Sequence, residues 1–591
     1  MKQRLFWPAG STRKGIVPFW GRTVVFALVL LFTVPACDSR WNGTGVPGNL
    51  KVRALWVDPP GFADRKTVDN LVEKCKKAGI NMIIPDVMLR EDIWFKSDHF
   101  IGKVNATEEY DPLAYLIEKA HALDIEVHPW SCVYYTKPRI PEWVSKPIVP
   151  DKYDHVFLSP AHPEVNPYLV SVLKDLLNYD IDGIHLDYTR YWNAAFDYSE
   201  TACQRFMESH GFNPKDFIDN PANIVPADQD AYPVRVLYPN TWLERVWDNG
   251  TVERTMNRTE TGWAWVPEKV ESIDRLRTPG LLVVTHYPEV TQEMTEAFQR
   301  FTERGGDLLW IYPDRELVTK FQVWATLSGL TGIGAPQSGH CVISAAAGNP
   351  AGTSFEPFES NSTWAPLVPG NAEVVCNMGD KLPVITRNKH GNGSFTALGF
   401  RVMDSQDPVM LQFFKNLLLG FREKAGVSGT DLMAEKRRQW MDWRALHILD
   451  LVRQVNQMVK EKNPKLKVTA AAGVGPQQFY GIYRDGAQWL TEGLCDFIFP
   501  MNYTENAEML KELLDEQKQF TPEGMSNRIY PGLRIYAKSG NSAVPAQPEN
   551  VLEQMELVKQ EGYEGLCLFS YSFFTDEIAE ALHSFLQEKD K

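Results

Sequence analysis

From residue 50 onward, short apolar runs of strand length alternate with amphipathic stretches of helical period, which is the pattern of βα units wrapped on a parallel sheet. Four runs come early: VRALWVD (Val52–Asp58), INMIIPDV (Ile80–Val87), IEVHPW (Ile125–Trp130) and IDGIHLDYTRY (Ile181–Tyr191). Four more come late: LKVTAAAG (Leu466–Gly473), CDFIFPMNY (Cys495–Tyr503), RIYPGLRIY (Arg528–Tyr536) and GLCLFSYSFF (Gly565–Phe574). The helical stretches between them carry their own punctuation. Gly79 and Gly211 close two of them, Asp111-Pro112 opens another, and Pro464 stops a long one. Eight strand runs predict an α/β fold of the (β/α)8 TIM-barrel type, with halves at 50–220 and 428–585.

The interruption between the halves is large. A chain of 591 residues exceeds what one core holds, since cores stop growing at roughly 250–300 residues. The segment 230–426 reads as a separate inserted α/β unit of Rossmann-like pattern. PVRVLYP, LLVVTHYP and DLLWIYP are its buried strands, TQEMTEAFQRFTERGG its helix, and PVITRNKHGNGSFTALGF a hairpin with glycine in the turn. The pattern resembles class I glutamine-amidotransferase-like domains. Such an enzyme needs a cysteine nucleophile at the turn after a strand such as DLLWIYP, and here the turn reads Tyr312-Pro313-Asp314. The resemblance therefore implies a scaffold or an interface, including contact between copies of the chain.

Residues 1–37 read as a targeting leader. Lys2, Arg4, Arg13, Lys14 and Arg22 precede an apolar run from Val24 to Val34, too short for a comfortable membrane span. The run meets Val34-Pro35-Ala36-Cys37, which resembles the lipobox of bacterial lipoproteins. That resemblance implies export and a lipid anchor on Cys37, holding the protein at a membrane in the periplasm or at the cell surface. The other seven cysteines show no metal-ligand spacing, so neither a metal nor another cofactor is expected. A net charge of −14 argues against nucleic acid and favours a neutral or cationic ligand.

Barrel chemistry sits at the carboxyl ends of the strands. In the fourth run Ile184 and Leu186 share one face, and His185 and Asp187 share the other. The apolar pair should face the outer helices, which aims Asp187 into the barrel mouth. A carboxylate there is costly unless it is used or paired, and Arg190 is the nearest partner in sequence. Glycosidic hydrolysis needs two carboxyl groups. Asp187 is the first candidate, and Asp86, Glu505 and Asp58 compete for the second place. Trp56, His128, Trp130, His185, Arg190, Asn502, Tyr503 and Tyr571 fall near strand ends and could stack on, or hydrogen-bond, a sugar.

Taken together, RALWVD, DGIHLDYTRY, DYSETACQRFMESHG, the long helix with its Trp-Arg pair and WLTEGLCDFIFPMNY resemble the glycosyl-hydrolase-like family 10 barrels of bacteria. The resemblance implies carbohydrate as ligand and glycosidic hydrolysis as the reaction. Against the more distant chitinase-like pattern DGxDxDxE, the position of the proton-donating Glu is Thr189, which argues against substrate-assisted catalysis of that kind. The competing expectations are a glycan-binding surface lipoprotein without catalysis, and an assembly protein built around the inserted unit.

Overall fold

The computed structural model describes residues 50–587, apart from short stretches at 137–139, 149–156, 239–245, 286–289, 346–357, 380, 404–406, 428–430 and 540–541. The expected leader and Cys37 lie outside the described residues. Among the described residues no helix is long and apolar enough to cross a membrane.

The eight expected runs all form strands, and they pair in parallel. Strand one (Val52–Val57) lies between strand two (Met82–Leu89) and strand eight (Gly565–Phe569). Strand three follows strand two in two pieces, Glu126–Val127 and Trp130–Cys132. It is followed in turn by strand four (Gly183–Asp187) and strand five (Lys467–Ala470). Strand six also has two pieces. Phe497–Ile498 pairs with strand five, and Met501–Asn502 pairs with strand seven (Gly532–Arg534), which leads to strand eight. The two ends of this curled parallel sheet thus belong to one run of chain, and an Ile498–Ile529 bridge links the first piece of strand six to the approach to strand seven.

Both broken strands break at proline. Pro129 and Pro500 have no N–H to donate, so the ladder cannot continue through them, and each strand resumes after the gap. Elsewhere side chains alternate as expected. Leu55, Val57, Ile184 and Leu186 point out into the layer formed with the helices. Ala54, Trp56, Met82, Ile84, Trp130 and Phe499 pack inside the curl. The helix Arg65–Ala78 begins on Asp64, whose side chain accepts from Thr67 N, and ends on Gly79 at φ 73°, a left-handed value that glycine adopts without strain. The long helix runs over Leu432–Lys462, capped by the Asp431 side chain, which accepts from Ala434 N, and its first turns pack beside the second sheet, where Arg437 Nε donates to Trp263 O.

That second sheet is formed within 234–398. Its parallel strands, in chain order Val234–Tyr238, Ala264–Pro267, Leu281–Val284, Asp307–Ile311 and Gly393–Leu398, lie in the spatial order 2-1-3-4-5. This is a doubly wound arrangement. Four antiparallel strands extend it beyond Gly393–Leu398, starting with the hairpin partner Leu382–His390. One face packs on the helices Val246–Arg258 and Pro408–Lys424, the other on Gln292–Glu303 and Gln322–Ser328. At the turn after Asp307–Ile311, Tyr312 has φ 51° and lies under the Arg401 guanidinium.

Candidate active site

The carboxyl ends of strands two and four bring two aspartates into one buried place. Asp86 and Asp187 are both almost wholly buried, at 3% and 7% exposure. Strand three lies between them, with Asp86 level with Trp130 and Asp187 level with Cys132. The Cys132 thiol is 3.9 and 4.0 Å from the two Asp86 carboxyl oxygens. Burial, then the charges of Asp187 and of Asp58 on the loop after strand one, push the Asp86 carboxyl well above the usual range. Asp58 itself accepts hydrogen bonds from Ser570 Oγ and Ser572 Oγ at 2.6 and 2.7 Å.

Asp187 sits in a different environment. Burial raises it too, but the Tyr188 N–H, Arg484 and Arg190 oppose the rise. Tyr188 has φ 47°, and its N–H donates to Asp187 Oδ1 at 2.5 Å. The Trp130 indole N–H, which completes no hydrogen bond of normal geometry, also favours the Asp187 carboxylate. Two carboxyls whose neighbours treat them differently are the usual basis for an acid and a base in one site. Asp86 is the better proton holder, and Asp187 the better anion.

Aromatic rings wall this place. Tyr503 stacks on Phe569 at 5.0 Å, and Trp130 meets Phe569 edge to face at 6.4 Å. Tyr188 stacks on Tyr135 at 4.6 Å. Burial and then Asp187 hold the Tyr503 phenol well above its usual range, so it stays a donor.

Arg484, which sequence reasoning did not single out, stands on the loop after strand five. Its Nη1 donates to Ala471 O at 2.6 Å, and its Nε and Nη2 donate to Gln478 Oε1. Burial and the neighbouring Arg190 push it down to about 9. The only signal for it in the sequence is a lone cation in YGIYRDG shortly after a strand end.

A buried cluster holds these loops in place. Arg444, on the long helix, donates from Nη1 to Ala194 O and Phe196 O at 3.1 and 2.6 Å, on the loop after strand four. Its guanidinium carbon lies 3.8 Å from the ring centre of Tyr483, the residue before Arg484. The Tyr483 hydroxyl returns to Ala194 O at 2.7 Å. From the second sheet's helix Val246–Arg258, fully buried Glu253 supplies the counter-charge, 3.6 Å from Arg437 and 3.9 Å from Arg444.

Several expected ligand groups are placed elsewhere. Trp56 and His185 form the packed floor of the curl: Trp56 Nε1 donates to His185 Nε2 at 3.2 Å, and His185 Nδ1 is 2.9 Å from Thr469 Oγ1. Both imidazole nitrogens are engaged and burial keeps the ring neutral, so neither side chain is open to a sugar. His128 is likewise fully buried, below the break at Pro129, with Nε2 3.1 Å from Glu126. Asn502 points outward, because the break at Pro500 restarts the strand, and it exchanges amide hydrogen bonds with Gln517 on the helix Ala507–Phe520. Tyr571 turns toward the helix Arg65–Ala78, where with Gly61 and Lys74 it lines a separate cavity of about 360 Å³. Glu505 is half-exposed and engaged by Arg534 and by Lys538 N. Arg190 makes no salt bridge with Asp187. Its Nη1 donates instead to Tyr191 O and Trp192 O.

The model of the family described as "Glycosyl hydrolase-like 10" matches residues 51–224 and 422–549, just over half of the chain. The chain belongs to that family. The two matched stretches carry Asp86, Asp187 and Arg484, and the unmatched segment between them carries every strand of the second sheet. A glycosyl hydrolase of Bacillus subtilis (strain 168), YngK, is 24% identical over 139 residues, and the aligned part spans 20% of this chain and 26% of that relative. Among solved structures, α-L-fucosidase isoenzyme 2 from Paenibacillus thiaminolyticus is 11% identical, covering 63% of this chain and 84% of that one, with a TM-score of 0.27. An exo-β-1,4-mannosidase, Op5Man5, from an Opitutaceae bacterium is 12% identical, covering 64% and 95%, with a TM-score of 0.26. Scores this low bear on neither activity nor substrate.

The pKa of buried Asp86 sets a sign for stability. Its folded-state value lies above its unfolded value, so its contribution is full in acid and is lost as pH rises through the folded value, by about 1.36 kcal/mol for each unit of difference. Asp86→Asn, which mimics the protonated acid, should therefore melt several degrees above the wild type at pH 7–8, with the gap closing toward pH 4. Thermal melts across that range check this. A variant less stable than the wild type at pH 8 would contradict the protonation state assigned to Asp86.

Proposed function

We propose that the curled sheet is a (β/α)8 barrel and that its Asp86–Asp187 cleft hydrolyses glycosidic bonds of a polysaccharide or oligosaccharide. The observation that carries this reading is the placement of two buried carboxyls, one pushed well above the usual range, on strands two and four to either side of strand three, beside aromatic rings. Asp86 is suited to protonate the glycosidic oxygen as the bond to the leaving sugar breaks. Asp187, supported by the Tyr188 N–H and by Arg484, is suited to attack the anomeric carbon or to activate water against it. In the first case the glycosyl ester on Asp187 is hydrolysed by water that Asp86 then deprotonates. Tyr503 and Trp130 offer ring faces and N–H or O–H donors beside the pair.

The unmatched segment we read as an amidotransferase-like unit without the cysteine nucleophile, since Tyr312 occupies the turn where that residue would stand. Before it in the chain, the leader pattern supports export and attachment at Cys37. Intact-mass analysis of membrane-extracted protein should find an acylated cysteine at the mature N-terminus. A peptide spanning Ala36-Cys37 in exported protein would remove the anchor from this account.

Hydrolysis of a glycan panel by the wild type, Asp187→Asn and Asp86→Asn tests the reaction. Each substitution should lower kcat by about a hundredfold to ten-thousandfold while leaving the fold intact. The rate should rise with pH as Asp187 ionises and fall again as the raised Asp86 loses its proton, the two limbs belonging to the coupled pair. Near wild-type turnover by the Asp187→Asn variant would refute the assignment. Binding of glycans without turnover by any form would instead favour the non-catalytic glycan-binding reading.

A further inference from the structure

We propose that Arg190, with Arg484 behind it, forms a subsite for a carboxylate-bearing sugar within the glycan. This rests on the reading of the Asp86–Asp187 cleft as a glycosidase site and adds to it the chemical class of the substrate.

Arg190 follows Asp187 by three residues, on the loop that leaves strand four. Its guanidinium is fixed on two sides. Nη1 is held by Tyr191 O and Trp192 O at 3.1 and 3.0 Å. Its central carbon lies 4.8 Å from the ring centre of Tyr188, and 5.7 Å from those of Phe157 and Trp192. Nε and Nη2 donate to no group among the described residues, and the side chain is only half-buried. The free edge is therefore the one that carries two parallel N–H bonds, the geometry that a planar carboxylate accepts in bidentate fashion.

The charge around it points the same way. Arg484 is almost fully buried, and among the described residues neither it nor Arg190 has a carboxylate at salt-bridge distance. Arg190 acts electrostatically on buried Arg484, and two cations that repel each other in a partly buried place are costly until an anion joins them. Asp187 acts on both from a distance and forms an ion pair with neither. A ligand carboxylate on the open edge of Arg190 would offset this charge and would seat the sugar beside the reacting pair. The net charge of −14 suggested a neutral or cationic ligand, but that charge is distributed over the whole chain, whereas recognition depends on the few groups within a Debye length of the cleft.

The test compares acidic glycans with their own carboxyl-reduced forms, so that only the charge differs. The probes are oligomers of polygalacturonate, alginate, glucuronoxylan, unsulfated chondroitin and hyaluronan, alongside neutral xylan, mannan and galactan, measured by calorimetry and by release of reducing ends on the full chain. At least one acidic glycan should be preferred over its reduced counterpart by tenfold or more. In Arg190→Gln that ratio should fall on the order of tenfold, as expected for one lost charged hydrogen-bond pair. Arg190→Lys, which keeps the charge and loses the fork, should lie between. If neutral glycans, or reduced forms equally well, are cleaved in an Asp187-dependent manner, the carboxylate subsite is wrong and the glycosidase reading stands. If no glycan of either kind is bound or cleaved, both are overturned.

Discussion

The arrangement of the cleft depends on one guanidinium with no access to solvent. Arg444 reaches the loop after strand four through two carbonyls and the loop after strand five through the face of Tyr483. Those two loops carry Arg190 and Arg484, and they flank Asp187. Burying that cation requires a counter-charge, and Glu253 supplies it from the segment between the two halves of the curled sheet. Breaking a buried ion pair on one side costs about 3–5 kcal/mol, so loops, long helix and second sheet are bound into one arrangement by the penalty for parting them. The second sheet thereby contributes to the cleft through the buried charge of Glu253.

The interior of the curl sets the electrostatics that follow. Below the cleft the layer is apolar and closed, with Trp56, His185 and Phe499 in edge-to-face contact. Above it, Asp86 and Asp187 stand where solvent reaches them poorly and where each charge raises the cost of the other. The Tyr188 N–H and the two arginines favour the anion at Asp187, and nothing comparable acts on Asp86, whose nearest donors are a thiol and the Met88 backbone. The two environments thus favour the proton on Asp86 more strongly than on Asp187.

Much of this was legible along the chain. Period-two alternation in IDGIHLDYTRY aimed Asp187 inward, and the eight strand runs appear where their apolar spacing places them. What the alternation could not carry was geometry past a proline. Pro129 and Pro500 interrupt their strands, so His128 falls in the floor and Asn502 turns toward the helices, though unbroken strands would have brought both to the cleft. Glu505 lies near a strand end in sequence, but Arg534 engages it. Arg484 was not legible, because its approach to Asp187 comes from a loop turn at Tyr483, with φ 57°, that no strand or helix period describes. Asp86 was one candidate among several along the chain, and only the sheet order sets it on the far side of strand three from Asp187.

The central claim is that Asp86 and Asp187 titrate as one coupled pair. Carbon-13 NMR of the aspartate carboxyls, followed from pH 3 to 9 in the wild type and in Asp187→Asn, measures this without any substrate. Asp86 should titrate well above the usual carboxyl range in the wild type, and at a lower pH once the neighbouring charge is gone. An Asp86 that titrates normally, or whose midpoint does not move when Asp187 is neutralised, would contradict it.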